Sequence, residues 1–164
     1  MKRVATIAIA LLLVLILAVP LSANSRSRLR KVALPNPRLP DFTSIFNWGL
    51  RLSNIRRLYF FSGIAAQRPD FSIFAPFDYI AQTDYILDEI DLTLTENNLD
   101  RDNIIRIEFT LVEGISDADF DTVLGRFSDY FQTVEIKPAA GTLRFVSGLA
   151  FPGLVVEYEI WCAK

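Results

Sequence analysis

Two carboxylates, Glu157 and Glu159, stand two residues apart near the C-terminus, and Arg144 precedes them. A carboxylate pair can divide general-acid and general-base work, and an arginine can grip an anionic substrate through two parallel hydrogen bonds. Acids at i and i+2 of a strand also share one face of a sheet, and as a pair they read first as a polar face. Arg144 on a strand reads first as a solvated side chain. Histidine is absent, which excludes Ser-His-Asp and Cys-His catalysis and any histidine-ligated metal. The single cysteine, Cys162, sits in the apolar run Trp161-Cys162-Ala163. With no cation near it in sequence to lower its pKa, it reads as an inert core or edge residue. One cysteine also excludes internal disulfides and thiolate zinc sites. Neither a metal nor a cofactor is expected.

These residues must be positioned by elements whose pattern is legible. A chain of 164 residues is long enough to bury a real core. Residues 57–62 (RLYFFS) read as an aromatic-rich strand ending at Gly63. After Pro76, the recurrence of Ile80, Thr83, Ile86/Leu87, Ile90 and Leu94 predicts a helix with one buried face up to about Asn97. Ile105, Ile107, Phe109 and Leu111 alternate with Arg106, Glu108 and Thr110, so 104–112 is a strand with the first set inward. Ser116 followed by Asp119 resembles an N-cap and capping box. The helix it opens buries Phe120, Val123/Leu124, Phe127 and Phe131. Residues 142–150 and 154–161 read as two strands joined through Phe151-Pro152-Gly153. In the second, Leu154, Val156, Tyr158 and Ile160 face one way and Glu157 and Glu159 the other. The class is α+β, with two helices on one face of a mixed sheet. The other face is left open, and pairing with further subunits is a natural way to bury it.

The net charge of −2 averages two unlike regions: residues 1–31 carry six Lys/Arg and no acid, whereas 32–164 carry eleven Lys/Arg against nineteen Asp/Glu. From Val4 to Leu21 only Thr6 and Pro20 interrupt an aliphatic run, flanked by Lys2 and Arg3 before it and Arg26, Arg28, Arg30 and Lys31 after it. As a helix that run spans about 27–30 Å, the thickness of a bilayer's hydrocarbon core. Residues 1–23 are therefore expected to be a membrane anchor or a signal peptide. As a retained single-pass anchor, its charge asymmetry places the body in the cytoplasm, where the basic cluster would meet anionic lipid. As a cleaved signal, it leaves the body exported. Residues 24–43, with Pro35, Pro37 and Pro40, read as an extended tether that does not pack into the body. Residues 44–164 form the folded domain. An acidic body without a basic stripe makes nucleic acid an unsuited partner. Among the 13 phenylalanines, Phe42, Phe46, Phe71, Phe74 and Phe77 lie outside the periodic elements and suggest a contact surface for another protein or for further copies of the chain.

The ordered set SNIRRLYFFSG (53–63), DYIAQTDYILDEI (78–90), NIIRIEFTLVEGISDADFDTVLGRFSDYF (103–131), KPAAGTL (137–143) and FPGLVVEYE (151–159) resembles the Rid family, the YjgF-like reactive intermediate deaminases. That resemblance implies a chorismate-mutase-like α+β fold and a homotrimer with small-molecule pockets in the intersubunit clefts. It also implies hydrolysis of enamines or imines to keto acids without metal or cofactor. The family's substrate-binding arginine follows a Pro-Ala pair; here Pro138-Ala139 is followed by Ala140. The family's pocket tyrosine falls near Phe46, its glutamine after Ser-Gly at Ile64, and its asparagine of the second helix at Leu124. The glutamate that orients water in the family survives as Glu157. A cleft so altered would strip water from a carboxylate without giving it a partner. The expectation is a non-catalytic, membrane-anchored Rid-like domain serving as an accessory or scaffolding subunit of a membrane complex. The alternatives are a divergent imine or enamine deaminase using Glu157, with Arg144 as substitute anion holder, and a binder of a small apolar metabolite in the cleft.

Overall fold

The structure, a computed structural model, describes residues 28–164. The apolar segment 1–23, expected as anchor or signal, lies outside the described residues, among which no helix is long and apolar enough to cross a membrane.

The first described element corrects the reading of 24–43 as a tether that stays clear of the body. Arg30–Ala33 (β1) pairs antiparallel with Leu50–Ser53 (β2), Val32 opposite Arg51 and Ala33 opposite Leu50. The pairing extends one step further through Leu34 N–H to the Gly49 carbonyl at 2.8 Å. The next stretch is not extended throughout: Leu39 N–H bonds the Asn36 carbonyl at 3.1 Å across a turn at Pro37-Arg38. The chain turns back at 42–48, and the Trp48 indole donates to the Pro40 carbonyl at 2.9 Å.

A second, mixed sheet holds the rest. Leu58–Phe60 (β3) and Ile64–Ala65 (β4) both pair with the C-terminal strand. Asp78 caps the helix Tyr79–Glu96 (α1), its carboxylate accepting from the amides of Ile80 and Ala81 at 3.1 and 2.9 Å. Asn97 caps the other end and Asn98 turns the chain in the left-handed region. A short 3-10 turn, Arg101–Asn103, leads into Ile104–Val112 (β5). Ser116 caps Asp117–Tyr130 (α2), accepting from the Asp119 amide at 3.1 Å, and the chain then enters Ala139–Val146 (β6) and Val156–Ala163 (β7). The strand order is β3-β7-β5-β6, with β6 parallel and β7 antiparallel to β5.

Two sequence expectations shift. The strand placed at 142–150 starts at Ala139 and ends at Val146, and it does not neighbour β7, because the α2 crossover lays it along the far side of β5. Ile105 was expected inward, but the register slips between Ile104 and Arg106. Ile104 takes the core position, fully buried, and Ile105 is half-buried.

Both helices cover one face. The rings of Phe109 (β5) and Tyr158 (β7) meet Phe127 of α2 edge-on at 4.7 and 4.8 Å between centroids, and the Tyr158 hydroxyl bonds Thr83 of α1 at 2.7 Å. Buried Gln82 satisfies both ends of its amide, donating to the carbonyls of Ala75 and Gly153 and accepting from Val155 N–H at 2.9 Å. The helices are locked to each other through Asp91. Its carboxylate takes both Arg101 Nε (2.9 Å) and the guanidinium's Nη2, and also the Tyr130 hydroxyl at 2.7 Å. Arg101 in turn lies over the Tyr130 ring, 3.8 Å from its centroid, and donates to the Tyr130 carbonyl.

Burial pushes the Asp91 carboxyl up, but the hydrogen bonds from Arg101 and Tyr130 outweigh it and hold it below the ordinary carboxylate value. A depressed folded pKa stabilises the fold above the unfolded value of about 3.9 and loses that contribution as pH falls through the folded value. Asp91→Asn should cost about 1–2 kcal/mol at neutral pH, after allowance for partial exposure. Urea titrations should show the gap between variant and parent closing below about pH 4; a constant gap would show that the ionised carboxylate is not what matters.

Candidate functional site

The alternation of β5 sends Phe109 and Leu111 towards the helices and Glu108 and Thr110 to the opposite, open face. Paired residues follow: Leu143 and Tyr158 flank Phe109, whereas Arg144 and Glu157 flank Thr110. The structure thus sets Arg144 and Glu157 on one row of the open face, two strand spacings or about 10 Å apart. It puts Phe46 elsewhere, on the helix side of the sheet. The three residues singled out as a site do not converge.

Arg144 is committed to a partner that the sequence reading left among the outward residues. Glu108, only 8% exposed, receives Arg144 Nη1 on Oε2 at 2.5 Å and the Arg106 guanidinium on Oε1, with Arg106 Nε at 3.0 Å. Arg106 also lies over the Trp161 ring at 4.8 Å. Burial raises the Glu108 pKa, yet the hydrogen bonds from Arg144 and Arg106 prevail and leave it below the ordinary carboxylate value. Room for this carboxylate comes from β6, where the register slips opposite Glu108. A Cβ at Gly141 would collide with the Glu108 Cγ and stand 2.8 Å from its Cδ. Only the spacing of Arg106 and Glu108 was visible in the sequence; the third partner comes from across the parallel pairing.

Glu157 rests on glycine too. A side chain at Gly63 would meet its Cδ at 2.6 Å. Its neighbour Glu159 accepts from the Trp161 indole at 2.6 Å, so the two acids share a face but not a partner. Cys162 is buried under β1, and burial pushes its thiol up to about 12, so no thiolate is available near neutrality.

On the helix side lies an apolar cavity of about 480 Å³. Its walls are the 42–48 turn, one side of α2 and the helix-side face of β5 and β6, with Phe46, Trp48, Phe120, Leu124 and Leu143 among its lining. Phe46 stacks on Phe42 at 5.1 Å and meets Trp48 edge-on at 5.5 Å. The one polar side chain in the wall, Asn47, spends its amide on the Lys137 carbonyl at 2.8 Å. Phe46 and Leu124, two positions that the Rid resemblance maps to polar pocket residues, therefore lie together in this wall. The third, Ile64, sits in β4 against β7.

No protein-family model matches the sequence, and no curated protein is similar to it. Solved structures are. A Rid-family protein of unknown function from Yersinia pestis, YyfB, superposes with a TM-score of 0.72 at 17% identity, over 82% of this chain and 98% of that one. A YjgF-family member from Neisseria meningitidis gives 0.50 at 21% identity over 84% and 95%. Yeast Mmf1 gives 0.54 at 16% over 82% and 99%. The body has the Rid fold, α+β with two helices on one face of a mixed sheet, as the sequence resemblance implied.

The packing of Glu108 on Gly141 is testable by a double-mutant cycle. Gly141→Ala should destabilise the protein by about 1–3 kcal/mol through overpacking. In a Glu108→Ala background, where the colliding Cγ is gone, the same change should cost much less. Equal costs in both backgrounds, by chemical denaturation, would refute the contact.

Proposed function

We propose that this chain is a non-catalytic Rid-fold module, held at a membrane through residues 1–23 and acting as an accessory or scaffolding subunit of a membrane protein complex, with a cytoplasmic body. The observation that carries the reading is the commitment of Arg144. An imine or enamine hydrolase of the Rid kind must bind a substrate carboxylate, and the position after Pro138-Ala139 offers Ala140. The nearest substitute in sequence is ion-paired with Glu108 on the face away from the apolar cavity. Detaching it would leave a buried carboxylate with Arg106 alone, at a cost of about 1–2 kcal/mol once the half-exposure of Arg144 is allowed for. Glu157, though present, makes no ion pair and no side-chain hydrogen bond among the described residues, and its cross-strand neighbour on β5 is Thr110.

Surfaces suited to protein partners are present instead. Phe60, Phe71, Phe77 and Phe151 are exposed, Phe71 by 76% and Phe77 by 71%, and both of these hold left-handed backbone, with φ of 67° and 66°. A bulky residue gains nothing from that conformation locally, and its persistence with an exposed ring fits a contact surface. The open face of the sheet and the free edge of β6 suit association with two further copies, as in a Rid homotrimer. A second reading is favoured by the cavity itself. Its size lies in the usual range for small-molecule sites, and its walls suit an uncharged, apolar ligand.

Two measurements decide between these readings. Keto-acid release from a freshly generated imino acid should run at the blank rate with the purified full chain. Acceleration that Glu157→Gln abolishes would restore the deaminase. For the cavity, the fluorescence of 1-N-phenylnaphthylamine should rise on addition of the protein, and Leu124→Asn should weaken its binding about tenfold by placing an amide in an apolar wall. No enhancement with the parent protein would rule out the apolar-ligand reading.

A further inference from the structure

Folding gathers at one end of the body cations that the sequence scatters from residue 28 to residue 164. Arg30 and Arg51 share the outer face of the β1–β2 ribbon, Arg51 opposite Val32 and Arg30 opposite Ser53. Asn54, at the turn that follows, donates to the Arg28 carbonyl at 3.4 Å. The amides of Arg56 and Arg57 both donate to the Lys164 carbonyl, at 2.7 and 2.8 Å, and Lys164 N–H returns a bond to Arg57. These six residues are all exposed, and none joins an ion pair among the described residues. Lys31 is different: it turns inward, within 3.4 Å of the Ile104 carbonyl, where burial lowers its pKa. Asp100, Asp102 and Glu135 border the same surface. Even so, cations prevail there, whereas the rest of the described chain holds sixteen acids against seven Lys/Arg. Two aliphatic side chains, Ile55 and Leu58, are 43% and 49% exposed among the arginines.

What such a surface meets is indicated by the chain that leads into it. The aliphatic run ends at Leu21, seven residues before Arg28, with Arg26 between. Seven extended residues reach about 25 Å at most. We infer that this end of the body is a membrane-facing surface that binds anionic phospholipid headgroups through Arg28, Arg30, Arg51, Arg56, Arg57 and Lys164. Ile55 and Leu58 enter the interfacial layer beside them. The geometry suits a broad layer of charge: Arg30 and Arg51 lie on the ribbon and Arg56 and Arg57 follow it, while Arg28, Arg30, Arg56 and Lys164 rim a hollow open to solvent. The acid surplus of the other faces is repelled by the same headgroups, so attraction at one end and repulsion elsewhere fix a single orientation. The inference deepens the membrane reading proposed above and rests on it for the nearness of the bilayer.

The test uses the full chain in nanodiscs of phosphatidylcholine alone and in nanodiscs of an equal mixture with phosphatidylglycerol, read by hydrogen–deuterium exchange. Exchange across residues 50–58 should slow about threefold or more in the anionic discs, return to the neutral-disc rate in molar salt, and become independent of the lipid in the triple variant Arg51→Glu, Arg56→Glu, Arg57→Glu. Identical exchange of the parent protein in the two bilayers would overturn the inference. So would slowing of 50–58 by a mixed-sequence single-stranded RNA but not by anionic discs, which would reassign the surface to nucleic acid. Failure of the anchor is a separate result, seen as loss of the chain from neutral discs in an alkaline wash. In that event the chain should still bind anionic vesicles, and the triple variant should bind them at least about tenfold more weakly; no binding would overturn the surface as well.

Discussion

A carboxylate placed inside a sheet must find charge-bearing partners or give up its charge. Glu108 finds two, and much of the neighbouring structure is the consequence. Arg106 approaches along its own strand, folded over the Trp161 ring. Arg144 approaches from β6. Between them β6 must come close without a side chain, which is why glycine occupies position 141 at the slip in register. The arrangement resembles an anion site already filled by the protein's own anion. Two guanidiniums bond the two oxygens of one carboxylate, so the charge of each is already partnered. The cavity on the other side of the same strand is apolar because Phe46, Leu124 and their neighbours line it and Arg144 lies on the opposite face.

What the sequence disclosed was what local chemistry decides. The start of α2 was legible because Ser116 is a capping residue that acts within three positions, and the helix faces were legible because their period is intrinsic. The Asp78 cap of α1 went unread beside Pro76. The inner face of β7 followed from strict alternation. Errors begin where a distant segment decides. The slip at Ile104–Arg106 depends on pairing with β7, so alternation counted along β5 alone assigned Ile105 to the core. The strand β1 depends on pairing with residues about twenty positions away, and three prolines nearby concealed it. The surroundings of Arg144 were hidden in the same manner: Arg144 and Glu157 share a row, but Glu108, which ion-pairs with Arg144, shows in sequence only as an outward acid beside Arg106. The cluster of basic residues was hidden further still, since Lys164 joins Arg56 and Arg57 only through backbone bonds at the end of the chain.

The ribbon and the cavity are parts of one excursion of the chain. Between β1 and β2 the backbone leaves the basic end, forms the cavity wall at Phe42, Ile45, Phe46 and Trp48, and returns. It is closed at its neck by the ribbon pairing and the Leu34–Gly49 bond, and fastened at its tip by Asn47, whose amide group and backbone N–H both reach the entry to β6. Short two-stranded ribbons are marginal by themselves. This one therefore draws its stability from its surroundings: Lys31 and Leu52 packed beneath, the aromatic wall beyond, and whatever binds the outward arginines. A contact that orders the ribbon from outside orders the neck of the excursion, and with it the aromatic wall. The cavity wall and the basic ribbon are thus joined by one continuous stretch of chain, without any shared side chain.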